Sequence, residues 1–340
     1  MKFSNNYILY PDNRALEESI SDSRDLLTPQ QSKALFPDRS VTVADNFLHT
    51  RGNFEQQRYS TGIYESLREA LESTLTDEFR KKEPLDWADT QNKLGNILAA
   101  LGQHQSSAEL YELAIQHFGE ALEETDQEKS PLEWAAAQFN LATANQALGR
   151  LVDGKKSLKL AVDAYTNALL VWSKDETPEQ WMLAMHQLGA TLHTYGRLLQ
   201  GNRNLQKSVV AYKNALSVLD ADNYAFELAA THNNCGAVLH NLAESEENPE
   251  RLQEAIRSYE KGWKVCMEQQ LPVHLSVLCR VNKTTARCVL AELTNDAVLA
   301  EEVADEFEVI LECFPHALQP LCAKHCEQQV NKAKALAKLS

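Results

Sequence analysis

At 340 residues the chain exceeds the size at which one compact core usually stops growing, so two domains or an elongated array are expected. Hydrophobic residues make up 44%, enough for a core, while only 12 Gly and 10 Pro argue against a strand-and-turn protein. A net charge of −15 repels phosphate backbones and anionic lipid, so neither a nucleic acid nor a membrane surface is expected as a partner.

Residues 1–60 show no period. They carry two short apolar clusters, Tyr7-Ile8-Leu9-Tyr10 and Val41-Thr42-Val43, among polar residues, and read as an irregular arm with a short helix near Thr28–Leu35. No apolar run suits a secretory leader or a membrane span, and the expected location is the cytoplasm. Residues 61–83 read as a capping helix, with Ile63, Leu67, Ala70 and Leu71 at helical spacing.

From residue 84 the chain repeats every 47 residues. Trp87, Trp134 and Trp181 align with Leu228; Gly95, Gly189 and Gly236 align with Ala142; Gly102, Gly149 and Gly196 align with Ala243. A second block keeps the same step. Its columns are Ala114, Ala161, Ser208 and Ala255, then Phe118, Tyr165, Tyr212 and Tyr259, then Ala121, Ala168, Ala215 and Gly262. Leu122, Leu169 and Leu216 are followed by Trp263. Each block is apolar at i, i+3, i+4 and i+7, the spacing of one helix face. Each copy therefore predicts two helices of about 17–20 residues. The copies run 84–130, 131–177, 178–224, 225–271 and 272–313.

Helix starts and stops are written chemically. Ser130-Pro131-Leu132-Glu133 and Thr177-Pro178-Glu179-Gln180 read as capping boxes with Pro at the first helical position. Gly102, Gly149 and Gly201 read as helix stops. The fifth copy is degenerate, with helices expected over Pro272–Leu293 and Asp296–Cys313, and Phe307 displaced by one residue from the Tyr column. Residues 314–340 read as a terminal capping helix.

These columns resemble the tetratricopeptide repeat, in its longer-period bacterial form. The likeness is carried by Leu94-Gly95 and Leu188-Gly189, by Ala114…Phe118…Ala121 and Ala161…Tyr165…Ala168, and by Pro84, Pro131, Pro178 and Pro272. The period departs from the family's usual step of about 34 residues. The resemblance implies an all-α, right-handed superhelical solenoid of antiparallel helix pairs. It also implies that the first helix of each pair lines a concave groove. On that face it places Asn92, Asn96, Phe139, Asn140, Thr143, His186, His193, Asn233 and His240 as partner-binding residues. Amide and imidazole side chains both donate and accept, which suits a peptide backbone; simple solvation of a helix face is the competing account.

The implied function is a non-catalytic scaffold that binds a peptide or helix of another protein. The alternative is a regulatory sensor whose groove takes a signalling peptide or small ligand. No phosphate loop, nucleophile elbow or His-Glu-x-x-His motif occurs, so neither catalytic activity nor a cofactor is expected. All seven cysteines lie between Cys235 and Cys326, and their odd number suits reduced thiols. Cys313, His316, Cys322, His325 and Cys326 offer soft metal ligands, but in no standard zinc spacing; buried free cysteine is the competing account.

Overall fold

The computed structural model describes residues 60–314 and 320–338; the arm at 1–59, its short helix near Thr28–Leu35, and His316 lie outside the described residues. Among the described residues every regular element is a helix: α1 (Ser60–Thr74), α2 (Asp77–Lys82), α3 (Pro84–Gln105), α4 (Ala108–Glu124), α5 (Pro131–Leu151), α6 (Lys155–Ala168), α7 (Pro178–Leu199), α8 (Asn202–Leu216), α9 (Ala225–Glu246), α10 (Pro249–Glu268), α11 (Val273–Thr294), α12 (Ala297–Cys313) and α13 (Pro320–Ala337). None of these helices is long and apolar enough to cross a membrane.

The chain divides into two compact units that meet in sequence between Leu199 and Gln200. In the first, α3–α4 and α5–α6 are hairpins, α4 packs on α5, α6 on α7, and the first helices α3, α5 and α7 touch in succession. The short α2 fastens the start of this stack. Arg80 lies 4.5 Å over the Trp87 ring and donates to Glu124 at 2.6 Å and Glu123 at 2.9 Å. The second unit follows the same rule, each helix from α8 to α13 packing on the next, with α9 on α11 and α11 on α13.

The helices start as the prolines require. Pro84, Pro131 and Pro178 are the first residues of α3, α5 and α7, where a missing N–H breaks no helical hydrogen bond. The capping boxes, however, do not form. Ser130 makes no cap bond to α5. Its hydroxyl instead accepts from the Asp126 N–H at 2.8 Å, and Thr177 accepts from the Ser173 N–H at 2.9 Å. Both side chains close the preceding loop. Asp126 completes that loop by accepting from the N–H groups of Glu128 (2.9 Å) and Lys129 (3.1 Å), which hold its carboxyl below the usual range. Asp220 repeats the device with Asn223 and Asp222, and its carboxyl is lowered in the same way.

The helix stops are also displaced from the glycines. Gly102 and Gly149 sit inside α3 and α5, and Gly201 precedes α8 as its N-cap. Left-handed backbone falls instead on Ser106, Asp153, Gln200 and Glu247, with φ between 48° and 52°, and on Gln270 and Asn295, both at 51°. The first four keep the 47-residue step. The glycines are needed for space. A Cβ on Gly149 would lie 2.7 Å from Leu158, one on Gly95 2.5 Å from the Phe118 ring, and one on Gly236 2.8 Å from the Tyr259 ring. First and second helices thus approach closely because the facing residue lacks a side chain.

The core follows the sequence columns. Phe118, Tyr165, Tyr212 and Tyr259 are fully buried, Phe118 in a cluster with Ala114 and Tyr165 in one with Ala161. In the first unit Phe139 packs 5.3 Å from both Tyr165 and Trp172. The fifth copy is shifted by one residue. Its first helix opens at Val273, with Pro272 as N-cap, and its left-handed residue is Asn295 rather than residue 294. The displacement of Phe307 is thus already present at the start of α11.

Candidate functional site

The side chains that the repeat pattern assigns to a partner-binding face are, with the exception of half-buried Asn96, buried. Several are occupied in joining neighbouring repeats. In the first unit the Asn140 Nδ2 donates to Asn92 Oδ1 at 3.0 Å, linking α5 to α3. In the second, Asn282 Nδ2 donates to Asn233 Oδ1 at 2.9 Å, linking α11 to α9. Thr143 shares a 2.9 Å hydrogen bond with the Tyr165 hydroxyl, which also donates to Gln146 Oε1 at 2.7 Å. Such fully enclosed amides are costly unless paired, and pairing them with one another fixes the offset between successive first helices.

Phe139 is a core residue, fully buried among Tyr165, Trp172 and Ala135, and offers no surface to a partner in this conformation. Thr143 and Asn140 are equally enclosed, and His186 and His193 are buried on α7. His240 is fully buried on α9, 3.6 Å from the Glu244 carboxylate. The structure therefore brings Asn92 together with Asn140, and Thr143 with Gln146 through Tyr165. Asn233 meets Asn282, a residue outside the expected set.

A second polar column faces the paired second helices. Gln91 meets His117 at 2.6 Å and donates to Glu120 at 2.7 Å. Asn167 donates to Gln138 at 3.3 Å, and Ser258 donates to the His232 carbonyl at 2.8 Å. Burial lowers the His117 pKa, and burial, with Lys261 adding to it, lowers that of His232 to about 4.

In the fifth copy this neutral seam becomes ionic. Allowing for the one-residue shift, Arg280 takes the place of Gln91, and Lys283 and Arg287 take those of Leu94 and Leu98. Glu306 on α12 gathers them. It lies 2.6 Å from Arg287, 3.2 Å from Lys283 and 3.8 Å from Arg280. Glu302 binds Arg287 at 2.6 Å, and Glu260 lies 3.7 Å from Lys283, whose ammonium stands 4.8 Å over the Trp263 ring. Burial alone raises the Glu306 pKa, but the Lys283 and Arg287 charges and their hydrogen bonds outweigh it and leave the carboxyl below its usual range. This network was missed in the sequence, although three cations at i, i+3 and i+7, two of them in place of Leu94 and Leu98, were its signal.

The cysteines are free thiols, all buried except Cys313. Cys322 and Cys326 lie in the core formed by Val277, Val303, Phe307 and Ile310. Hydrogen bonding between the two sulfurs, then burial, raises the Cys326 thiol, and contact with Cys266, then burial, does the same for Cys279. His325 shares a 3.0 Å hydrogen bond with Thr285 on α11. Burial, with nearby His240, lowers its pKa to about 4. Among the described residues no three His, Cys, Asp or Glu side chains are grouped to hold a metal ion.

Neither the models of known protein families nor the curated proteins contain a match to this chain. The tetratricopeptide likeness therefore rests on the repeat columns themselves.

Proposed function

We propose that the chain is a tetratricopeptide-like scaffold of the cytoplasm, whose stacked hairpins curve into a right-handed superhelix and bind a peptide or helical segment of another protein without catalysis. The observation that carries this reading is the regular stacking of helix on helix within each unit, joined through the paired first-helix amides Asn92–Asn140 and Asn233–Asn282. A surface held in this way changes little on binding, so little conformational entropy is lost there. The buried rungs set the spacing of the surface rather than touching the partner.

Contact falls to exposed side chains. Leu85 and Leu132 occupy the same second position of α3 and α5 and are 50% and 39% exposed. Val273 at the start of α11 is 52% exposed. An apolar side chain kept in water at a recurring position suits burial under a partner helix, at roughly 1.5–3 kcal/mol for each one fully covered.

The test is capture of a partner from native lysate on the full chain, followed by calorimetric titration of the purified partner. The Leu85→Asp/Leu132→Asp double variant should fold normally and bind about tenfold more weakly. A partner that binds this variant and wild type equally would remove the assigned surface. Failure to find any saturable protein partner would remove the scaffold reading.

A further inference from the structure

The outward faces of α8 and α12 occupy the same place in two repeats and carry opposite charge. Both helices belong to the second unit, and each buries its other side, α8 through Leu205, Val209 and Tyr212 and α12 through Ala300, Val303 and Phe307. Allowing for the one-residue shift of the fifth copy, Lys207 corresponds to Glu302, Val210 to Asp305 and Lys213 to Glu308. The whole of α8 holds Arg203, Lys207 and Lys213 and no acidic residue. The whole of α12 holds five glutamates and one aspartate and no basic residue. Midway between them, α10 is balanced, with four basic and four acidic residues.

Each charged face is built round apolar side chains left in water. Val210 is 59% exposed, one turn beyond Lys207 and two turns beyond Arg203. On α12, Val298 and Val309 are 70% and 41% exposed, and exposed Glu301, Asp305 and Glu312 share their face. Some of the charge is spent within the chain, since Glu254 holds Lys213 at 2.6 Å and Arg287 holds Glu302 at 2.6 Å. Arg203 and Lys207, and likewise Glu301, Asp305 and Glu312, have no ion-pair partner among the described residues.

We propose that these faces join two copies of this chain, α8 of each against α12 of the other. Within one chain they do not meet, because α9, α10 and α11 stand between them, each packed on the next, and both faces point outward. A two-fold axis passing at α10 makes both contacts at once, and the charge-balanced α10 then faces its own copy. Copies of net charge −15 repel one another, but salt screens charges more than about 10 Å apart, so the opposite charges in contact decide the outcome. The pairing also covers Val210, Val298 and Val309, whose exposure is otherwise unfavourable. It is independent of the scaffold reading, whose contacts Leu85 and Leu132 lie on α3 and α5.

The experiment is sedimentation equilibrium of the full chain over a range of concentrations. Wild type should pass from monomer to dimer with a Kd on the order of 10 μM, as suits a contact of modest area. Arg203→Glu/Lys207→Glu and Glu301→Lys/Asp305→Lys should each dimerise at least about tenfold more weakly, since like charges then meet. Mixed in equal amounts, the two variants should recover wild-type association, because every basic face then finds an acidic one on the other chain. That recovery also shows that both variants fold. Lys155→Glu/Lys156→Glu on α6 makes the same change in net charge at another exposed place and should dimerise like wild type. A chain that stays monomeric at every concentration overturns the proposal, as does a dimer that either reversal leaves intact. It is equally overturned by an α6 variant that loses the dimer to the same extent, or by two reversal variants that melt like wild type and fail to associate when mixed.

Discussion

The α3–α5 seam of the first unit and the α11–α12 seam of the second solve one packing problem with different chemistry. In the first, Leu94 and Leu98 lie in an apolar core with Tyr111, Phe118 and Leu148, and the Asn140-to-Asn92 hydrogen bond links α5 to α3. In the second, Lys283 and Arg287 stand where those leucines would be, and Glu306 must neutralise them. Removing one partner of a neutral amide pair leaves a buried polar group unsatisfied, at about 1–3 kcal/mol. A desolvated ion network tolerates no missing member, since an unpaired buried charge is far more costly than an unpaired amide. The same backbone repeat is thus robust at one end and charge-dependent at the other.

The largest expected effect tests the ionic seam. Glu306→Ala should destabilise the second unit by about 3–5 kcal/mol, seen as faster amide hydrogen exchange across α11 and α12 with α3–α5 unchanged. A loss below that of an amide deletion would erase the contrast between the two seams. Next comes a feature both units share. Gly95→Ala and Gly236→Ala force a Cβ onto Phe118 and Tyr259, and each should cost about 2–3 kcal/mol by thermal melting.

Acid sharpens the comparison further. His232 and His325, both in the second unit, titrate near 4 when folded, below the ordinary histidine value near 6.5. The unfolded chain therefore takes up protons first, and the histidine contribution to stability should fall as pH drops from about 6.5 to 4, by up to roughly 3 kcal/mol for each histidine, and level off below that. Glu306 adds to the loss at the acid end, because its lowered pKa gives stability that protonation removes. His325→Gln, which keeps a polar group near Thr285, should flatten the melting-temperature profile between pH 6.5 and 4. An unchanged profile would mean that His325 is not the group responsible. On the amide side, Asn140→Ala should cost only about 1–2 kcal/mol and show no salt dependence.

The repeat architecture was legible because its determinants are local. Helical spacing, prolines at the first turn and the Gly95, Gly189 and Gly236 column all report on contacts between adjacent segments, and those recur in register. The reading failed where two uses of a residue look alike in sequence. Ser130 and Thr177 have the composition of N-caps, but their hydroxyls can equally bond backward, and the loop opening with Asp126 or Ser173 offers the better-placed N–H. Asn92, Asn140 and Asn233 look like groove residues because polarity marks exposure on average; only the packing reveals that Asn140 pairs with Asn92 and Asn233 with Asn282. Phe139 illustrates the same ambiguity from the apolar side. It is an aromatic residue in a column otherwise filled by Asn and His, and the structure gives it to the core. The shift in the fifth copy was visible at Phe307, but that it starts as early as the opening of α11 was not, since Pro272 keeps the proline column while acting as N-cap.

The positive-φ stops at Ser106, Asp153, Gln200 and Glu247 have a consequence for how freely this chain can vary. Four different polar side chains follow equivalent helices, none of them glycine, so no single residue type is required at the bend. Glycine at such a site relieves left-handed strain, and Glu247→Gly should raise stability by up to about 1 kcal/mol, measured by denaturant midpoint. These corners are accordingly places where labels, charges or short grafts can be introduced without disturbing the lattice of helices behind them.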